Sequence, residues 1–163
     1  VKPGAKMTYQ GAIRTWMPTT GPNIPIPAFL EVEIAEAGRN WSVDRVRRIF
    51  SGDDGQAGAA KDVHSGRGRI GGFWLPIQGL ARLRNGDKLD PFDPIVGSTV
   101  EVSYVGKTHS GMSVVAIFEW GSQYKRVWIY RATDGKLIYW LDEKLVDPVT
   151  RLVQQAEWQL TEE

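Results

Sequence analysis

Two histidines are the side chains best suited to proton transfer at neutral pH, and each heads the same tripeptide, His64-Ser65-Gly66 and His109-Ser110-Gly111. Imidazole titrates near neutrality, so two of them meeting at one mouth would make an acid and a base. Small, polar neighbours also suit a solvated loop histidine with no role at all. Glu119 and Tyr104 join them as catalytic candidates, with Glu101 and Tyr130 behind. An acid or phenol aimed into an apolar interior has a displaced pKa and can act on a small molecule. Other chemistries lack their spacing. Neither Ser65 nor Ser110 stands in a glycine-x-serine-x-glycine elbow, and no His-x-x-x-His pair is present. With zero cysteines, thiolate metal sites, disulfides and cysteine nucleophiles are excluded. No cofactor and no metal are expected.

Aromatic residues are the second resource. Seven tryptophans stand in 163 residues: Trp16, Trp41, Trp74, Trp120, Trp128, Trp140 and Trp158. Large rings fill the middle of a β protein well, and core packing alone would account for many of them. Rings facing a hollow would instead stack on a flat ligand. Trp74, Trp120, Trp128, Tyr130 and Trp140 are the expected ligand-binding set, with Arg67 and Arg69 beside them. Those arginines belong to Arg67-Gly68-Arg69-Ile70-Gly71-Gly72, where bare backbone N–H groups and two guanidinium forks could hold an anion. The run lacks the phosphate-loop pattern, so its better reading is a loop over an opening.

Positioning these residues falls to strands. Met7, Tyr9, Gly11 and Ile13 alternate with polar neighbours, and so do Leu30, Val32 and Ile34. Prolines at 18, 22, 25 and 27 predict an extended loop between them. Residues 42–50 fit either a strand or a short helix capped by Ser42, and the β-rich surroundings favour the strand. From Ser51 to Gly72 seven glycines predict a loop or lid. Phe73 to Ile77 reads as an apolar strand, and Asn85-Gly86 as the turn of a tight hairpin joining Leu80–Leu83 to Lys88-Leu89. Four alternating runs between Val100 and Leu141 predict a β-meander. The tail, 147–163, is a turn and a final strand, with a helix from Pro148 as the rival.

Together these signals predict one all-β domain over 1–163, with 1–6 as a loose leader and 51–72 as the glycine-rich loop or lid. The architecture expected is an antiparallel β-barrel of about eight to ten strands, similar in shape to the calycins and lipocalins, with a β-sandwich as runner-up. Gly38-Arg39-Asn40-Trp41 is one residue longer than the lipocalins' glycine-x-tryptophan opening and follows a strand, so the likeness is of shape only. The chain opens at Val1, as a processed or trimmed product would, and the compartment stays open.

Composition narrows the function. The formal net charge of +1 argues against a dedicated nucleic-acid binder. Charge is nevertheless uneven: nine bases against four acids between Arg39 and Arg84, seven acids against three bases from Ala132 onward. Two solvated faces explain that asymmetry as readily as an anion-attracting mouth does. No apolar run is long enough for a membrane-spanning helix, so a soluble chain without membrane insertion is expected. The leading expectation is a β-barrel whose aromatic-lined interior binds a small, largely apolar or aromatic molecule, with cofactor-free isomerase, cyclase or lyase chemistry as an extension. The alternative is a non-catalytic interaction module that binds protein or polysaccharide through an exposed aromatic face. A homo-oligomer pairing the extra apolar faces is the third expectation.

Overall fold

Period-two alternation translates directly into burial. In β1 (Lys6–Met17) Met7, Tyr9 and Ile13 are buried while Lys6 and Gln10 are exposed. In β3 (Ile26–Ala37) Ala28, Leu30, Val32 and Ile34 are buried while Phe29, Glu31 and Glu33 face out. The computed structural model describes residues 1–17, 19–22, 24–50, 58–66, 70–90 and 97–162. Among the described residues the remaining strands are β2 (Gly21–Pro22), β4 (Trp41–Phe50), β5 (Lys61–Gly66), β6 (Lys88–Leu89), β7 (Thr99–Lys107), β8 (Ser113–Trp120), β9 (Tyr124–Arg131), β10 (Leu137–Asp147) and β11 (Leu152–Glu162), with one four-residue helix, α1 (Ile77–Leu80).

All of the strands belong to one antiparallel sheet in the order β5-β4-β3-β1-β11-β10-β9-β8-β7-β6, with β2 paired to β1. The all-β, antiparallel fold is as expected, and the meander is β7 to β10. The barrel is not closed: among the described residues β5 and β6 end the sheet without pairing to each other. Their composition explains the open edges. β5 begins with exposed Lys61 and Asp62, and β6 has only two residues, both features that discourage edge pairing.

One cluster of buried side chains runs from Val32 and Ile34 on β3 to Val100 and Val102 on β7, a stretch of seven strands in the sheet order counting both, and includes Phe73 and Leu80 from the α1 segment. Laid flat, those seven strands would span about 29 Å, beyond the reach of a four-residue helix and its flanks. The sheet is therefore rolled, with the cluster on its concave face. Register shifts at Thr8/Tyr9, Ile34/Glu36, Val102/Tyr104 and Leu137/Tyr139 mark the bends.

Three expectations are corrected. Phe73 to Ile77 is not a strand: it makes one isolated bridge, Trp74 to Lys136, and Pro76, without an N–H for a ladder, turns it into α1. Leu80–Leu83 and Lys88-Leu89 do not pair as a hairpin. Gly86 does adopt a positive φ of 85°, but its N–H donates to Val102 O and β6 pairs with β7 instead. Within 51–72, β5 occupies the middle of the stretch read as a loop. The tail is a strand, β11, and residues 42–50 form β4.

Candidate functional site

The segment from Ile70 to Asp87, ahead of β6, lies over the concave face as a strap, and backbone bonds to the turn before β10 and to its first residue set its position. Leu75 N–H donates to Gly135 O at 2.8 Å and Leu137 N–H donates to Phe73 O at 2.9 Å. Position 135 must be glycine: its φ is 77°, and a Cβ there would lie 1.9 Å from Leu75 O. Tyr130, fully buried, accepts from Gly71 N–H and donates to Gly72 O, both at 3.0 Å. Burial holds its hydroxyl well above the usual phenol range. Between strap and sheet lies a cavity of about 230 Å³ lined by Ile70, Leu75, Leu80 and Leu83 of the strap, with Leu89 of β6 and Ile117 of β8 on the sheet side. Its lining is mainly aliphatic, with Asp90 as the one charged residue.

A buried polar cluster fixes the strap at its other side. Asp44, on the concave face of β4, is fully buried and accepts hydrogen bonds from the hydroxyls of Ser42 and Ser65. Having donated their protons, the two serines accept from the strap: Phe73 N–H reaches Ser65 Oγ at 2.8 Å, and Trp74 Nε1–H reaches Ser42 Oγ at 2.6 Å. Burial raises the Asp44 carboxyl above its ordinary value, against the opposing pull of the two serines and of His64. Every polar atom of this cluster has a partner.

Beyond the strap the concave face carries a tryptophan ladder. Trp128 on β9, Trp140 on β10 and Trp158 on β11 are direct cross-strand neighbours, and Ile117 at the cavity pairs with Trp128. Opposite Trp158 on β1 stands Gly11, where a Cβ would come within 2.5 Å of the indole. That bare position lets the ring lie across the sheet. One row further on, Glu119, Arg126 and Asp142 are again direct neighbours on β8, β9 and β10. Arg126 bonds both acids at 3.3 Å, Glu119 is fully buried, and Ser98 Oγ donates to Glu119 at 2.6 Å.

The expected site residues divide five ways. Trp128, Tyr130, Trp140 and Glu119 share the concave face. Trp74 is in the strap, tied to Ser42. Trp120 and Tyr104 are on the convex face and exposed; Tyr104 donates to Lys107 O, and Trp120 stacks near Phe118 with Lys88 Nζ 5.7 Å from its ring. His64 is on β5 and His109 in the β7–β8 turn, near opposite ends of the sheet order. Arg67 and Arg69 lie outside the described residues, as do 51–57 of the glycine-rich stretch. Sequence reasoning missed Asp44, Ser42 and Ser65, whose only signal is a polar residue on each strand where an apolar one would pack. It also left Trp158, Arg126 and Asp142 out of the site, because only strand register brings them beside Trp140 and Glu119.

Fold and site together define an all-β chain whose open, rolled sheet is covered on its concave side by a short helical strap. No family model and no curated protein matches the chain. Among solved structures, the crystal structure of a DUF1329 family protein from Desulfovibrio piger is similar over 98% of this chain and 86% of that one, at 8% identity and a TM-score of 0.27. A likeness that weak carries no functional argument, and the site is read from its own geometry. Among the described residues, no helix is long and apolar enough to cross a membrane.

Proposed function

We propose that the concave face binds a small, largely apolar molecule in the cavity beneath the strap. The observation that carries this reading is the cavity of about 230 Å³ between α1 and β8, walled by leucine and isoleucine side chains. Apolar surface left facing such a space gains about 25 cal/mol per Å² when a ligand covers it. The proposal is one of binding. Glu119 is committed to Ser98 and Arg126, and His64 and His109 stand on separated strands and turns, so none of the three is assigned a proton-transfer step.

Native mass spectrometry of the purified chain tests the proposal directly, since a retained molecule appears as a mass increment. Leu83 supplies the control. Its half-buried side chain lines the cavity, so Leu83→Trp should fill that space with a larger one. Loss of the increment in Leu83→Trp supports the site; an increment unchanged in that variant removes the cavity from the account.

The second reading, an interaction module, has its own observation. Phe118 and Trp120 lie 5.1 Å apart on the convex face, Trp120 is 37% exposed, and Tyr104 is 43% exposed. Iodide quenching of Trp120 that is lost on adding a candidate protein or polysaccharide would favour it.

A further inference from the structure

Along the strap, the backbone of the cavity wall keeps its hydrogen bonds to itself. The N–H groups of Leu75, Gly79, Leu80 and Leu83 all donate within the chain, to Gly135 O, to Pro76 O twice and to Leu80 O. Gly79 O in turn accepts from Arg82 N–H. What remains polar in the lining is the Asp90 carboxylate, its one charged group. Asp90 is exposed, and among the described residues it enters no hydrogen bond and no ion pair. The cations nearest to it in the chain are engaged elsewhere: Lys88 pairs with Glu101, and Arg84 donates to Ala81 O and Leu83 O. Asp87 shows the contrast, for its carboxylate accepts from Arg84 N–H.

From this we infer that the cavity takes a primary aliphatic amine of about nine non-hydrogen atoms, its chain among the leucines and its ammonium group at Asp90. The inference rests on the small-molecule reading above and names the ligand's class. A donor-bearing head follows from a wall whose spare polar group is an acceptor. Its positive charge follows from the sign of that acceptor, since a carboxylate head would meet Asp90 as a like charge. The place of the head follows from exposure. Gly79 and Asp90 are the exposed residues of the lining, so the cavity opens beside them. An ammonium there keeps water on its outer side and escapes the cost of full burial. Length follows from volume. Benzene, with six carbons, occupies a dry cavity of about 150 Å³, so about 230 Å³ accommodates about nine atoms.

Three probes that differ in head group separate the elements of the inference: n-octylamine, n-octanol and n-octanoate, each titrated calorimetrically into the full chain at neutral pH and low salt. The amine should bind about three- to fivefold more tightly than octanol, as an ion pair at a wet rim allows, and octanoate should bind least. Raising the salt should narrow that preference. Asp90→Asn, at an exposed position, should bring the amine to octanol's affinity while leaving octanol's own unchanged. Leu83→Trp should weaken all three. Amine and octanol bound equally by the parent chain overturn the head-group inference and leave apolar binding standing. Octanoate bound most tightly overturns the sign of the charge. An amine preference that survives in Asp90→Asn overturns the assignment to that carboxylate. Failure of all three to bind, or binding unchanged in Leu83→Trp, overturns the inference together with the small-molecule reading. The comparison of amine with octanol uses the unsubstituted chain, so it decides the matter even if a variant fails to fold.

Discussion

The two halves of the concave face are built from the same strands yet treat polarity in opposite ways. Under the strap, each buried polar group is matched: Asp44 by two serines, those serines by Phe73 N–H and Trp74 Nε1–H, and Tyr130 by the backbone of Gly71 and Gly72. On the ladder, an ion-paired row borders two indole donors with no acceptor. Saturated networks hold a structure together through directed bonds, whereas an unmet buried donor is tolerated only where the packing around it offsets its cost. The strap half is held by matched polar bonds, and the ladder half by tightly buried rings beside an ion-paired row.

The largest expected effect comes from breaking the ladder's border. Arg126→Leu strands Glu119, fully buried, without its cation, and should cost about 3–5 kcal/mol in denaturant unfolding. A loss below 1 kcal/mol would mean that the row is solvated and does not organise the face. Next, Asp44→Ala removes the acceptor of two buried hydroxyls and loosens both strap anchors, for a loss of about 2–4 kcal/mol. Its amide exchange should quicken at Phe73 and Leu75 ahead of β8 and β9 if the cluster holds the strap in particular.

A matched pair of substitutions sharpens the contrast. Trp74→Phe and Trp140→Phe delete the same atoms, but only the first breaks a hydrogen bond, to Ser42. Trp74→Phe should therefore be the more destabilising by about 1–2 kcal/mol in parallel thermal or urea unfolding. Equal costs would erase the distinction between the halves.

The smallest effect is a pH slope. The folded state holds the Asp44 proton more tightly than the unfolded chain, whose value is near 3.8, because burial disfavours the carboxylate. Its contribution to stability is therefore greatest below that value. It declines as pH rises toward the raised folded value and is flat beyond, since folding takes up a proton only between the two. Unfolding free energies of the parent and Asp44→Asn, followed from about pH 4 to neutrality, should differ in slope with that sign. An opposite slope would show the serine bonds outweighing burial.

Local alternation made most of the strands legible, and the meander with its short turns followed from the last third of the chain. The strap did not follow: Phe73-Trp74-Leu75 has strand-like composition, and only Pro76, together with the docking of Leu75 on Gly135, turns it across the sheet. Asn85-Gly86 made its turn as its residue types demand, while its partner strand proved to be β7, because a turn sets a reversal and leaves the choice of neighbour to the sheet. Trp128 and Trp140 were recognisable as aromatic candidates, but their joining with Trp158, and Glu119 with Arg126 and Asp142, depends on register.

Sequence alone determined that this chain is all-β and antiparallel, because side-chain period and turn chemistry are local properties of the residues. That the sheet rolls but stays open, the face each indole shares and the pairing of each buried charge were decided only by the tertiary structure. Those depend on which strands meet and at what offset, and a shift of one residue would send every one of these side chains to the opposite face.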